Sequence, residues 1–331
     1  MTPTRIPLQT LRSRRLAAFG RAALAAACLA AGLAPAQQPI RFILPVATAS
    51  GVDTITRAAS GALSKALGAP IVVDNQPGAG GIVGTTALVK AAPDGNTLSV
   101  VSNNHVIYPS VYKSIPFDPV NDITPIAVVG FTPIVIVVNP KVPAKNVPEL
   151  VALMKAKPDA INYGSSGNGT ILHLTAAMFI EQAGVKAKHI PYKGVGPMVT
   201  DLLGGQIDFV TSSLPSVQQH AKSGALRIVG IGTSTRNAAA PDVPTVVEQG
   251  MRDYVVEAWF AVIGPAKMKP EDVKRIHAAV VQAFAAPEVV EAMAKQGNTI
   301  KVSTPEEAAR HFRSELAKYA AIVKQIGLEP Q

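Results

Sequence analysis

A chain of 331 residues has room for two domains of roughly 100–200 residues each, and 48% hydrophobic against 16% charged residues excludes bulk disorder. The net charge of +9 shrinks to about +4 beyond residue 36, because Arg5, Arg12, Arg14, Arg15 and Arg21 lie before it with no acid among them. No basic run interleaved with aromatics appears, so nucleic acid is excluded as a partner.

The first 36 residues read as an export signal. Their alanine- and leucine-rich run, 22–33, is too short for a membrane anchor, and Ala34-Pro35-Ala36 presents small residues where a signal peptidase cuts. The signal peptide is placed at residues 1–36, and the mature protein in the periplasm. Ser13-Arg14-Arg15 is a partial twin-arginine pattern, which leaves the export route open. The only cysteine, Cys28, lies inside the signal. Disulfides, thiolate metal sites and cysteine catalysis therefore fall together. Lipid attachment at Cys28 is disfavoured by Ala25, where leucine is usual.

In the mature chain, 40–45 reads as a buried first strand. The small-residue loop 46–53 follows, with Asp53 as a cap for a helix running to Gly68. Ile71–Asn75 is a second strand, and Pro77-Gly78-Ala79-Gly80-Gly81 turns tightly into a helix ending near Ala92. Thr97–Ser102 is a third strand, and Asn103-Asn104-His105 opens a short helix toward Tyr112. This alternation predicts a largely parallel sheet covered on both faces. The apolar runs 126–129 and 134–138 carry the chain across into a second domain. That domain repeats the alternation: helix 148–157, strand 161–163, helix 170–182, strand 188–192, helix 197–203, strand 207–211, helix Leu214–Lys222 and strand 226–232. A second crossing falls at 254–263. Three proline-started helices close the chain, 270–285, 287–296 and 305–326, and have only the first domain to pack on.

Four polar segments sit at the carboxyl ends of predicted strands, where open α/β sheets bind ligands: 46–53, 102–105, 164–170 and 208–213. In 163–174, Tyr163-Gly164-Ser165-Ser166-Gly167-Asn168-Gly169-Thr170 leads into a helix. Helix starts leave N–H groups unpaired and carry partial positive charge, which suits a carboxylate. An ordinary glycine-rich turn with a capped helix is the bland alternative. Residues 77–84 follow a strand and open a helix as a dinucleotide fingerprint does, but the third glycine, Gly84, falls one residue late. No acid closes a second strand, so close helix–sheet packing is the expectation there. The six histidines show no metal-ligand spacing, and Gly-x-Ser-x-Gly is absent. Neither metal, cofactor nor catalytic residue is expected. His173 is expected to orient the loop, and Asp53 and Asp208 to cap helices or orient donors. Trp259, the only tryptophan, could line a cleft or fill a hinge core.

The order and spacing of several segments resemble the Bug family, the periplasmic solute receptors of tripartite tricarboxylate transporters. They include Asp74-Asn75-Gln76-Pro77-Gly78-Ala79-Gly80-Gly81, Tyr163–Thr170 with His173-Leu174, Ile190-Pro191-Tyr192-Lys193-Gly194, Asp201-Leu202-Leu203-Gly204-Gly205-Gln206 and Trp259. The resemblance covers nearly the whole mature sequence. It implies an α/β, two-lobed periplasmic-binding-protein (Venus-flytrap, type II) architecture with two crossover strands. Residues 37–133 and 260–331 would form one lobe and 134–259 the other. A small carboxylate would be held from the second lobe by Ser165, Ser166, Gly167 and Thr170, with His173 behind them. Thr48, Ala49, Ser50 and Asp53 would meet its other end, with Asn103, Asn104 and Ser212 along the side wall. The receptor would act as a monomer, without catalysis, and deliver its ligand to membrane permease subunits. Two alternatives stand beside it: a periplasmic serine hydrolase, and a sensory receptor presenting bound carboxylate to a membrane kinase. Ala49-Ser50 stands where the family usually has Gly-Gly, so the first-loop end of the site should be narrower or differently shaped.

Overall fold

Ile40–Leu44 (β1) buries four of its five residues, the mark of a parallel strand covered on both faces. The computed structural model in which it is seen describes residues 38–158 and 160–330. The expected signal peptide, with Cys28 and the cleavage point, lies outside the described residues. Residues from Pro39 onward form one compact unit.

Three βα steps open that unit. β1 leads into Gly51–Leu67 (α1), Ile71–Asn75 (β2) into Ile82–Val89 (α2), and Thr97–Ser102 (β3) into Asn104–Val111 (α3). β1 pairs in parallel with both β2 and β3. Three further steps follow: Asn162–Ser165 (β5) into Ile171–Ala183 (α5), Lys188–Pro191 (β6) into Val195–Gly204 (α6), and Phe209–Ser213 (β7) into Leu214–Lys222 (α7). β5 pairs in parallel with β6 and β7. Val147–Ala156 (α4) precedes this second group and Arg227–Ile231 (β8) follows it.

The two groups share one strand. The apolar runs expected as separate segments are a single 16-residue strand, Ile123–Val138 (β4). Its first part pairs antiparallel with Glu257–Pro265 (β9), and its last five residues pair with β7 and β8. β9 lies between β3 and β4, giving the order β2-β1-β3-β9-β4-β7-β5-β6. Just before β9, Val256 N–H donates to the Gly232 carbonyl at 2.8 Å and the Tyr254 hydroxyl to the Thr175 carbonyl at 3.0 Å. The chain thus passes between the groups twice, at the two places the sequence indicates. The architecture is α/β, with helices on both faces of a curled sheet.

The three C-terminal helices, Pro270–Phe284 (α8), Pro287–Lys295 (α9) and Pro305–Gln325 (α10), return to the first group. α8 packs on α1, and α10 packs on α3 and β4. Thr304 and Glu307 form a reciprocal capping box that starts α10. A two-residue strand that the sequence reading lacks, Thr299–Ile300 (β10), pairs with β4 at Phe131 and Gly130.

Trp259 fills the crossing rather than a cleft. It is buried, its ring packs edge-on against His311 and Phe312, and its indole N–H donates to Glu315 Oε2 at 2.9 Å. Beside it, Asn103 accepts from the Trp259 amide at 2.9 Å and donates to the Tyr319 hydroxyl at 2.7 Å. One buried amide therefore ties the end of β3 to β9 and to α10.

Gly130 sits where β10 crosses β4, and a Cβ there would overlap the Thr299 carbonyl oxygen, which is backbone. Gly130→Ala should therefore destabilise the protein by about 1–3 kcal/mol in urea unfolding, through overpacking. An unchanged midpoint would show that β10 is a loose appendage.

Candidate functional site

Six helices begin at the carboxyl ends of the six parallel strands, so their N-termini collect on one side of the sheet. A cavity of about 660 Å³ lies there. Its lining includes Ser50, the N-cap of α1; Gly81, the N-cap of α2; Asn104, the first residue of α3; Thr170, the N-cap of α5; and Gly194, the N-cap of α6. A smaller chamber adjoins it through shared lining residues and is bordered by Ser213, the N-cap of α7. Each helix start brings partial positive charge and amides without intrahelical partners. No aspartate or glutamate lines either chamber among the described residues, and Lys193 is the only charged lining side chain. The arrangement can hold an anion without an arginine.

The second-group loop is internally braced. Thr170 Oγ1 donates to the Gly167 carbonyl at 2.8 Å and accepts from Ser166 Oγ at 3.1 Å and the His173 amide at 3.4 Å. Gly167 adopts φ 135, a conformation that suits glycine and holds the loop open toward the cavity. Ser165 is fully buried beneath it, bonded to His189 Nε2 at 2.7 Å and to both the amide and the carbonyl of Gly167. His173 Nδ1 accepts from the Gly169 amide at 3.1 Å, which fixes its tautomer. The His173 and His189 rings stack at 3.9 Å, with Tyr163 stacked on both.

Of the residues named from sequence, Ser50, Asn104, Ser166, Gly167 and Thr170 line the main cavity together. Asn104 is the sharpest of them. Its Oδ1 accepts from the Ile171 amide at 2.8 Å, which orients the side chain and leaves the Nδ2 amide with no bond to the described residues. Ser50 Oγ accepts from the Asp53 amide at 3.2 Å and keeps its own proton to give. Ser50, not Asp53, is therefore the cap of α1. Asp53 instead gathers Arg57 at 2.9 Å, Asn75 at 3.0 Å and the Ala49 amide at 3.1 Å behind the loop. Thr48 and Ala49 are exposed and line neither chamber. Ala49 takes φ 63, a left-handed conformation costing an L-residue about 1–2 kcal/mol. That corner turns its carbonyl to Ser216 Oγ, 3.1 Å away in the other group. Asn103 is spent on the crossing, as described. Ser212 is fully buried, and its neighbour Ser213 borders the chamber instead.

Two walls go beyond the residues named as contacts from sequence. Pro77–Gly81, expected to serve helix–sheet packing, lines the cavity, as does Pro191–Val195. Both join a strand to a helix start, and that shared context is the signal that could have nominated them. The Tyr112 hydroxyl reaches across from the first group toward the Asn168 carbonyl at 3.4 Å.

A serine beside a histidine suggests a nucleophile and base. Here Ser165 is fully buried and lines neither chamber, and no carboxylate hydrogen-bonds either stacked histidine among the described residues. Burial lowers the His189 pKa to about 4. Burial, then the neighbouring His189, lowers that of His173 to about 3. Both rings are neutral near pH 7 and brace the loop.

The chain matches the family described as the tripartite tricarboxylate transporter family receptor over residues 55–328. It is 35% identical over 304 residues to Protein BugT of Bordetella pertussis, covering 91% of this chain and 93% of that one. The fold is similar to the solved structure of the periplasmic binding protein BugD, with a TM-score of 0.86, 28% identity, and coverage of 89% of this chain and 99% of that one. It is equally similar, at TM-score 0.86 and 25% identity over 89% of this chain and 99% of the other, to R. palustris Rpa4515 with adipate.

The buried histidines make stability pH-dependent in a set direction. Burial also lowers the fully buried His105 to about 4. Groups with depressed histidine pKa values stay neutral in the fold and take up protons on unfolding. Their contribution is complete above about pH 6.5 and falls as pH drops toward 4, by on the order of 3 kcal/mol for His105 alone. Urea midpoints at pH 7.5 and pH 5 should differ accordingly, with the decline starting near 6.5. A flat profile across that window would contradict the assignment.

Proposed function

The chain belongs to the tripartite tricarboxylate transporter family of receptors, and we propose that it captures a small carboxylate in the periplasm and hands it to the permease subunits of such a transporter. Residues 37–133 and 260–331 act as one lobe and 134–259 as the other, closing over the cavity. The observation that carries this reading is the convergence of helix starts from both βα groups on a cavity with no acidic side chain. BugD is a periplasmic binding protein, and the Rpa4515 structure holds adipate, which supports a receptor over a catalyst. The receptor works as a monomer and needs no cofactor.

Asn104 Nδ2 and the Ser50 hydroxyl supply oriented donors, one from each of two first-group helices. The braced 165–170 loop supplies the opposing face. Ligand contact with both lobes would shift an open–closed equilibrium toward the closed form, because only that form offers both sets of donors. Lys193 adds long-range attraction at the exposed side of the cavity.

A thermal-shift panel of mono-, di- and aromatic carboxylates tests this. A ligand at 100 times its Kd should add about 2.7 kcal/mol of stability. Gly167→Val should abolish that shift while leaving the unliganded fold intact. The new Cβ would lie 3.4 Å from the Tyr192 carbonyl oxygen, an ordinary contact, but φ 135 strains any side chain and moves the loop. Retained binding in Gly167→Val would show that the 165–170 loop is only a turn, and no shift from any acid in a broad panel would remove the carboxylate reading. Turnover of ester substrates that Ser165→Ala abolishes would favour a hydrolase instead.

A further inference from the structure

We propose that the cavity selects a carboxylate carried on a ring-sized apolar body, an aromatic or alicyclic monocarboxylate, over short aliphatic diacids. This rests on the carboxylate-receptor reading and adds the class of ligand to it. The first ground is where the donors lie. Ser50, Asn104 and Ser166 line both the main cavity and the adjoining chamber, so they gather where the two meet. The anionic end belongs at that junction, and the rest of the ligand extends into the main cavity.

The second ground is what lines that extension. Pro45, Val46, Pro77 and Pro191 present carbon. Tyr112 and Tyr192 line it too, but their hydroxyl protons are already given away. Tyr192 donates to Asp201 Oδ2 at 2.8 Å, and Tyr112 to the Asn168 carbonyl at 3.4 Å. The two side chains therefore offer mainly ring surface to a ligand. The third ground is room. A volume near 660 Å³ leaves space for a ring beside the junction. A second carboxylate in that part would have backbone amides at the starts of α2 and α6 to meet, but side-chain walls of carbon around them. Its one cationic neighbour, Lys193, is exposed and keeps its own hydration.

Calorimetric titration of the mature protein with benzoate and cyclohexanecarboxylate, against succinate, malate and adipate, tests the proposal. The ring monocarboxylates should bind about tenfold or more tightly than any of the diacids, a difference near 1.4 kcal/mol. A diacid that binds as tightly as the ring acids, or more so, overturns the proposal and leaves the carboxylate reading standing. Loss of that diacid in Lys193→Met would then identify the lysine as the holder of a second charge. If none of these acids binds, the ring-acid proposal falls, and the broad carboxylate panel decides the receptor reading.

Discussion

The structure depends on where helices begin. A parallel strand followed by a helix must place that helix start at the strand's carboxyl end, and six such steps are arranged around one side of the sheet. Partial positive charge is thereby concentrated without any ionised group having to be buried. A buried arginine would need a partner in the empty protein, whereas backbone dipoles do not. The absence of acids from the lining and the bracing of Ser166, Thr170 and His173 follow from the same constraint. Loop atoms must be fixed by other protein atoms so that the remaining donors point at the cavity.

The crossing and the site are physically adjacent. Asn103 holds the crossing strand and the C-terminal helix, and Asn104 reaches into the cavity and holds the start of α5. This dipeptide therefore contacts the crossing strand, the C-terminal helix and the start of a second-group helix at once. Trp259, bonded to Glu315 and edge-on against His311, packs the other side of the crossing. The C-terminal helices, far away in sequence, complete the first group because α8 and α10 cover its exposed apolar faces.

Much of this is legible in the sequence. Parallel strands buried on both faces give continuous apolar runs, and helix starts carry glycine, serine, threonine or proline, so the alternation and both crossings can be read directly. The loop around Gly167 is also legible, because its hydroxyls and glycines are consecutive. Facing is harder. Ser212 and Ser213 differ by one residue, and the period of two in a strand puts only Ser213 beside the chamber. Asn103 and Asn104 likewise separate into a residue that binds the crossing strand and a wall residue at a helix start, which composition cannot distinguish. The 77–81 wall looks like plain backbone turn because nothing in its side chains announces a ligand. His189 is a lone histidine on an edge strand, and its role exists only through stacking on His173 across 16 residues of sequence.

Ala49-Ser50, where the family resemblance implies Gly-Gly, has a concrete consequence. Ala49 still takes the left-handed conformation, and Ser50 becomes both the helix cap and a cavity wall. A hydroxyl thus stands where glycine would leave only backbone. The most direct measurement of the central claim is a crystal structure of the mature protein with benzoate bound. The account predicts carboxylate oxygens within hydrogen-bond distance of the Asn104 Nδ2 amide, the Ser50 hydroxyl and backbone amides at the helix starts. A carboxylate held instead by Lys193, with those donors left to water, would contradict it.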